Sequence, residues 1–445
     1  MDYDNCVSLP AMFFDNTEEI GDRPFLWAKN GGKWQSTSGE EARTKAAALA
    51  AGLASLGVTK GARIVLVSES RPEWMLADIA IMTAGAIAVP AYTTNRVSDH
   101  LHILKDSGAT GAIVSGTDLA KNLMPAAEEA GLNFVISMDQ IDNQSTVPVH
   151  LWDNLLAANR TETPDVSAIA RTDTSCLIYT SGTGGVPKGV MLSHGAIISN
   201  CKGAHHLLLT LGLGDEVFLS FLPLSHSYEH TGGLMFPLSI KAQIYYAEGV
   251  DKLAANMEET HPTIMTAVPR LYETMHSRIL RGVQQKGGLS EKLFMKAVSI
   301  GRRKYEGNQL TFSETLMDRL LNKVVRKKVA ERFGGRLKAM VSGGAPLNYE
   351  IGTFFKALDV ELLQGYGQTE SAPIISCNLP SKNKMNSVGP PLTDVDVKIG
   401  TDGEILVKGE LVMQGYWNMP EATAEAVRDG WLHTGDIGTL DGDGF

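Results

Sequence analysis

Short apolar runs separated by helix-start signals recur through the first third of the chain and restrict the fold more than any other feature. Arg63-Ile-Val-Leu-Val67 reads as a buried strand. Ahead of it, Ser38 with Glu41 forms a capping-box pattern before an Ala-rich helix, and Gly57 sits where that helix stops. Ser70 and Pro72 open another helix through Trp74 and Met82, and strand signals return near 111–114 and 133–137. Alternation of this kind predicts an α/β unit with a largely parallel sheet.

A second α/β set is expected after the polar, Pro-containing stretch 159–173. Its strand candidates are 176–179, 217–221, 243–246, 263–268, 337–342 and 360–363. From Ser387 the character changes: Val395-Asp-Val-Lys-Ile399 alternates with period two, and Thr401-Asp-Gly403 turns it into Glu404-Ile-Leu-Val-Lys408. That is a hairpin in a mostly antiparallel unit. The expected architecture is therefore α/β. Two doubly wound subdomains, over 1–170 and 171–386, pack together with a small antiparallel, barrel-like one over 387–445. A chain of 445 residues with 43% apolar residues has the core for this.

The net charge of −10 argues against nucleic acid as a partner. The four cysteines (Cys6, Cys176, Cys201, Cys377) are scattered with no C-x-x-C pair, which leaves reduced thiols in a cytoplasmic protein. The start, Met1-Asp2-Tyr3-Asp4-Asn5, lacks a basic flank, so no secretory signal is expected. The best membrane-span candidate, 79–95, is rich in Ala, Gly and Thr and broken by Pro90, and a buried helix running into a strand accounts for it better. Charge is uneven: 278–338 holds 16 Lys/Arg against 5 Asp/Glu, a balance of +11. Its densest part, Lys323 to Phe333, is expected to form one helical face from Val324, Val325, Val329 and Phe333. That part is either a solvated face or a peripheral contact with acidic lipid or an anionic substrate.

Four segments carry chemistry, and a fifth, 342–346, is grouped with one of them. Tyr179-Thr-Ser-Gly-Thr-Gly-Gly-Val-Pro-Lys-Gly189 puts hydroxyls, glycines and one lysine on a loop between two strands. Glycines let N–H groups approach phosphate oxygens, and lysine supplies a point charge. A Walker A loop fails here, because Pro187 and Gly189 stand where its glycine and its magnesium-binding hydroxyl belong. Gln364-Gly-Tyr-Gly-Gln-Thr-Glu370 follows an apolar strand, where ligands sit in open α/β sheets. Its tyrosine could stack on a base, and Thr369 and Glu370 offer oxygens for Mg²⁺. Ser342-Gly-Gly-Ala-Pro346 could wall the same pocket. Gly430-Trp-Leu-His-Thr-Gly-Asp436, read as a loop, offers a carboxylate for two vicinal hydroxyls. In Leu222-Pro-Leu-Ser-His226-Ser-Tyr-Glu-His230, the spacing of His226, Glu229 and His230 fits a zinc-peptidase pattern. Pro223 and Gly232-Gly233, however, leave little helix for one.

Together these segments resemble the adenylate-forming superfamily of acyl-CoA synthetases, adenylation domains and luciferases, from about residue 25 to the last residue and in the family's motif order. The segment around His226, Val268-Pro-Arg-Leu-Tyr-Glu273 and the basic insert resemble long-chain fatty-acid–CoA ligases. The resemblance implies a phosphate loop at Thr180, Ser181, Gly182, Thr183, Gly184, Gly185 and Lys188. It implies an adenine wall at Gly343, Gly344, Ala345, Pro346, Gln364, Gly365, Tyr366 and Gly367, with Tyr366 stacking. Mg²⁺ would lie on Thr183 and Glu370, beside Thr369, and the ribose on Asp436. Lys188, His226, Thr183 and Glu370 would be catalytic, with His226 beside the α-phosphate at the mouth of an acyl tunnel lined from Leu234-Met-Phe-Pro-Leu238. Gly184 departs from the family, which carries a hydroxyl residue there.

The implied substrates are ATP, a long-chain fatty acid and coenzyme A. The alternatives are a medium-chain or aryl acid ligase, or a ligase-like fold that only binds nucleotide or acyl chains. The resemblance further implies a hinge and a mobile C-terminal domain beyond Phe445, so 1–445 is expected to be an N-terminal portion with little overall activity of its own. It is expected to be cytoplasmic, peripheral at the membrane at most.

Overall fold

A computed structural model describes residues 1–142, 145–159, 162–180 and 185–445. Among them the strands form two eight-stranded sheets and a four-stranded one. The first sheet runs Gly415–Tyr416, Lys188–Ser193, Thr174–Thr180, Ile87–Pro90, Arg63–Val67, Gly111–Val114, Phe134–Ser137, Val149–Leu151. It is parallel from Thr174–Thr180 onward, and its other two strands pair antiparallel. The second runs Ile374–Cys377, Leu362–Gly367, Ala339–Ser342, Ile264–Ala267, Val217–Ser220, Gln243–Tyr246, Pro24–Asn30, Lys33–Ser38, with only its outermost pairs antiparallel.

The strands alternate side chains between two cores. Ile64 and Leu66 enter the large central cluster, and Val65 and Val67 an outer one. In the second sheet Phe218, Ile264, Ala339 and Leu363 face the central cluster, while Leu219, Met265, Met340 and Leu362 face another outer one. The central cluster also takes its residues from helices Leu9–Ile20, Gly39–Ser55, Pro72–Thr83 and His194–Leu208. These helices lie between the sheets and belong to both. A strand buried on both faces must be apolar along its length, which is why the strand runs were legible.

Local signals set the elements. Ser38 caps Gly39–Ser55 in a reciprocal box with Glu41, as expected. Helix Pro72–Thr83 starts at Pro72, but its N-cap is Arg71 rather than Ser70, whose hydroxyl donates instead to Leu222 O. The 79–95 stretch is the end of that helix followed by strand Ile87–Pro90, and no helix among the described residues is long and apolar enough to cross a membrane. All four cysteines are buried and free.

Sheet membership crosses the sequence boundary at 170. The hairpin Pro24–Asn30/Lys33–Ser38, unmarked in the sequence analysis, joins the second sheet, while Thr174–Thr180 and Lys188–Ser193 complete the first. The hairpin's turn, Gly31-Gly32, has φ of 56° and 77°, and a Gly-Gly pair is the signal that marks it. The C-terminal hairpin pairs Asp396–Ile399 with Glu404–Lys408 as expected, in the sheet order Asp396–Ile399, Glu404–Lys408, Trp431–Ile437, Val427–Arg428.

Two local readings are corrected. Residues 227–239 are helical throughout, because His230–Met235 widens to a π-helix around the glycine pair. A Cβ on Gly233 would lie 2.3 Å from Glu229 Oε1, so the glycine makes room for that carboxylate. In 323–333, Val325, Val329 and Phe333 form the inward row, but Val324 is exposed on the next row. Arg326 points inward, donating to Ala357 O and Ala297 O and pairing with Asp318.

Burial lowers the pKa of both His100 and His194 to about 4. The unfolded chain protonates each near 6.5, so between those values the unfolded state binds more protons and stability falls on acidification. Buried Glu229, pushed up to about 7, has the opposite sign over 4.5–7, one group against two. Urea midpoints should therefore drop from pH 6.5 to 4. His194→Asn, which keeps an acceptor for the Leu9 N–H, should flatten that drop by up to about 3 kcal/mol.

Candidate active site

The carboxyl ends of strands from both large sheets open onto one cleft of about 730 Å³, with the small sheet along its rim. Strand ends of an open α/β sheet are where a ligand meets backbone groups that no neighbouring strand has satisfied. The first sheet contributes Thr180 and Lys188, which face each other across the antiparallel pair Thr174–Thr180/Lys188–Ser193, and Tyr92 after Ile87–Pro90. The second contributes Gly343, Gly344, Gly365, Tyr366, Gly367, Thr369, Glu370 and, after Val217–Ser220, His226. His433 and Thr434 come from the small sheet.

Ser181, Gly182, Thr183 and Gly184 lie outside the described residues. Gly185, Ala345 and Pro346 are exposed near the cleft but do not line it. Gln364 is buried behind the wall as a brace: Oε1 accepts from Leu347 N at 2.7 Å and Nε2 donates to Ser387 O at 3.0 Å. Asp436 is exposed at the rim, where it accepts from Tyr366 Oη at 2.7 Å and fixes the ring's orientation.

The segment 430–436 is not a loop. Trp431–Ile437 is a strand, paired to Glu404–Lys408 with a register shift that Glu404 stabilises by accepting from His433 Nδ1 and Gly435 N. The His433 contact holds the Glu404 carboxyl below its usual pKa.

The electrostatic centre is a three-residue contact. Tyr416 Oη donates to Glu370 Oε1 at 2.8 Å, and Lys188 Nζ stands 4.8 Å from the centroid of the Tyr416 ring. Burial and the neighbouring Glu370 push the Tyr416 hydroxyl far up, so it remains a donor. Among the described residues only Oε1 of Glu370 is engaged, and the second oxygen is free for a cation. Tyr416 was not legible as a site residue. It arrives on a two-residue strand whose role depends on pairing with Val190.

His226 caps the helical run with extended backbone (φ −90°, ψ 133°), and its Nδ1 accepts from Tyr228 N at 3.1 Å. A backbone N–H can only donate, so Nδ1 carries the lone pair and Nε2 the proton. Surrounding protein lowers its pKa, although the side chain is open to the cleft. His226 therefore presents a neutral N–H donor. Being off the helix, it shares no face with His230, whose Nε2 meets Asp78 Oδ2 at 2.9 Å in the core. Glu229 points a third way, accepting from Ser220 Oγ at 2.7 Å and Thr266 Oγ1 at 2.6 Å. The zinc-peptidase spacing thus yields three divergent side chains.

Behind Tyr228 the cleft adjoins a narrow apolar cavity of about 30 Å³, which shares Tyr228, Val341, Ile374 and Cys377 with it. Leu207, Phe218 and Phe236 line the cavity. Of the run 234–238 only Phe236 does so, because Leu234, Met235 and Leu238 are fully buried in the central core.

A family profile described as AMP-binding enzyme matches residues 13–417. The chain belongs to that family, the adenylate-forming acyl-CoA ligases. It is 31% identical over 448 residues to the long-chain-fatty-acid–CoA ligase FadD15 of Mycobacterium bovis, covering 98% of this chain and 73% of that protein. The fold matches the N-terminal domain of FACL13 from Mycobacterium tuberculosis, with TM-score 0.73, 21% identity and 98% of both chains covered. It also matches the o-succinylbenzoate CoA synthetase MenE of Bacillus subtilis in complex with its acyl-adenylate intermediate, with TM-score 0.72, 21% identity, and 98% and 76% covered.

Gly367 is the tightest point of the cleft wall, since a Cβ there would lie 1.8 Å from Pro373 O. Gly367→Ala must displace the Ile374–Cys377 strand, and we expect a loss of about 2–3 kcal/mol by urea unfolding, together with lost nucleotide binding by calorimetry.

Proposed function

We propose that the chain activates a long-chain fatty acid with ATP to give an acyl adenylate and pyrophosphate, and that the acyl group then passes to the thiol of coenzyme A. The observation that supports the long-chain reading is the apolar cavity that adjoins the cleft, sharing Tyr228, Val341, Ile374 and Cys377 with it, within one helical turn of His226. The carboxylate lies in the polar cleft and the alkyl chain in the cavity. At about 30 Å³ the cavity holds no more than about one methylene as it stands, so a long chain enters only by widening it, through movement of side chains such as Leu207 and Leu392.

A fatty carboxylate is its own nucleophile. One oxygen forms a bond to the α-phosphorus while the bond from that phosphorus to the bridging oxygen breaks, and the electron pair leaves with pyrophosphate. The thiol of coenzyme A later displaces AMP from the acyl carbon and gives up its proton. The protein's part is placement and charge compensation. Lys188 approaches the phosphates, His226 donates from Nε2 to an oxygen at the junction of carboxylate and α-phosphate, and Tyr366 lies along the base with Asp436 toward the ribose. Mg²⁺ neutralises phosphate oxygens when bound, and the free oxygen of Glu370 fits it among the described residues. Thr183 is assigned with it from the sequence. Gly343, Gly344, Gly365 and Gly367 bring backbone close to the base.

Two outcomes test this reading. Glu370→Gln preserves the acceptor for Tyr416 and removes the charge, so Mg·ATP affinity by calorimetry should fall about tenfold or more, and unchanged affinity would refute the assignment. Saturated acids of increasing length should bind more tightly by about fourfold per CH₂ until the cavity is filled. Leu207→Trp should abolish that gain while sparing short acids, and equal affinity for acetate and palmitate would refute the long-chain reading.

A further inference from the structure

The basic region 278–338 ends in a helical run made of Phe312–Leu321, a π-turn Asn322–Arg326 and Lys327–Arg332. Its two sides differ in kind. On the inner side the acids are neutralised: Glu314 pairs with Arg303, and Asp318 with Arg326 at 2.7 Å. Leu321, Val325 and Phe333 fill the core there.

On the outer side Phe312, Leu316, Leu320 and Val324 stand four residues apart in one row, and all are exposed. Phe312 is 90% exposed, so its own chain covers almost none of it. Arg319, Lys323, Lys327 and Lys328 flank this row, exposed and without an ion-pair partner among the described residues. Glu331 is the one exposed acid of the run. An apolar row of this size costs solubility when left bare, and monomers bury such rows or use them.

We propose that this face docks on an anionic lipid bilayer. The helical run would lie in the interface plane, with its apolar row among the acyl-chain ends and its four unpaired cations at the head groups. Charge complementarity selects this partner: Glu314 and Asp318 face inward and are spent on protein cations, whereas Arg319, Lys323, Lys327 and Lys328 face outward and are not, with Glu331 the single acid among them. An amphipathic helix with an apolar stripe and flanking Lys and Arg is the arrangement that partitions into an anionic interface. Of the row expected from sequence only Val324 lies on this face, since Val325, Val329 and Phe333 are turned inward. The inference does not depend on the adenylation reading, since docking needs no nucleotide.

The test is co-sedimentation of the full chain with vesicles of phosphatidylcholine containing phosphatidylserine, with pure phosphatidylcholine vesicles alongside. We expect binding to the anionic vesicles, loss of it at high salt, and little binding to neutral ones. Lys323→Ser/Lys327→Ser should weaken partitioning by about fivefold per cation removed. Phe312→Ser/Leu316→Ser should weaken it by about tenfold or more at unchanged charge. Both pairs are at exposed positions, and unchanged thermal unfolding confirms that each variant folds. Absence of binding to anionic vesicles would overturn the proposal. So would binding that neither pair reduces. A concentration-dependent dimer, seen by light scattering and dissolved by Phe312→Ser/Leu316→Ser without any vesicle effect, would assign the face to a second copy and overturn it equally.

Discussion

The structure depends on one apolar layer shared by two sheets. Helices Leu9–Ile20, Gly39–Ser55, Pro72–Thr83 and His194–Leu208 bury side chains toward both the first sheet and the second, in a single continuous core. Neither sheet could shift against the other without exposing that layer. At roughly 25 cal/mol per Å² of apolar surface the cost of separation is large compared with the marginal stability of a folded domain. The shared layer fixes the two sets of strand ends relative to one another, and the cleft is the gap left between them. Placement that the proposed chemistry requires of Lys188 and Glu370 is thus a consequence of packing far from either residue.

How much of this was legible follows from what each residue faces. Strands such as Arg63–Val67 and Ile264–Ala267 are apolar on both faces, so their runs show in the sequence without any partner being known. The hairpin Pro24–Asn30/Lys33–Ser38 has one wet face and lies at an edge, so its apolar signal is diluted and only the Gly31-Gly32 turn announces it. Trp431–Ile437 carries Gly435 and Asp436, residues typical of turns. It is a strand because Leu432 pairs with Val407 and Glu404 satisfies the shifted register. Cross-strand pairing is a tertiary fact that composition does not encode.

The cleft shows the same division. Thr180, Lys188, His226, Gly343, Gly344, Gly365, Tyr366, Gly367, Thr369 and Glu370 line it, and each lay in a segment whose glycines or hydroxyls mark a strand end. Gln364 belongs to the same motif but lies deeper in the strand, still paired with Ser342 inside the sheet, where its amide meets Leu347 and Ser387. Tyr416 could not be read from sequence, since its hydroxyl matters only where Glu370 happens to be. Glu229 presents the reverse case. Its spacing to His226 and His230 imitates a metal site, but the π-turn and the extended backbone at His226 send the three side chains to different neighbours.

Charge is sorted by the same geometric rule at both ends of the molecule that matter. In the cleft, Tyr416 occupies one oxygen of Glu370 and leaves the other open, while the backbone of Tyr228 occupies Nδ1 of His226 and leaves the Nε2 proton open. Each polar group is half-satisfied by protein, which sets its orientation, and half-available. On the helical run 312–332 the sorting is between residues rather than atoms, with Glu314 and Asp318 paired inward and Arg319, Lys323, Lys327 and Lys328 left outward. A group fully satisfied by protein can only hold structure, and one with no protein partner is poorly positioned. The half-engaged groups of the cleft are therefore the ones suited to a reaction that supplies its own nucleophile and asks the protein for alignment. The unengaged cations of the surface suit a partner such as a bilayer, which presents charge without demanding a fixed geometry.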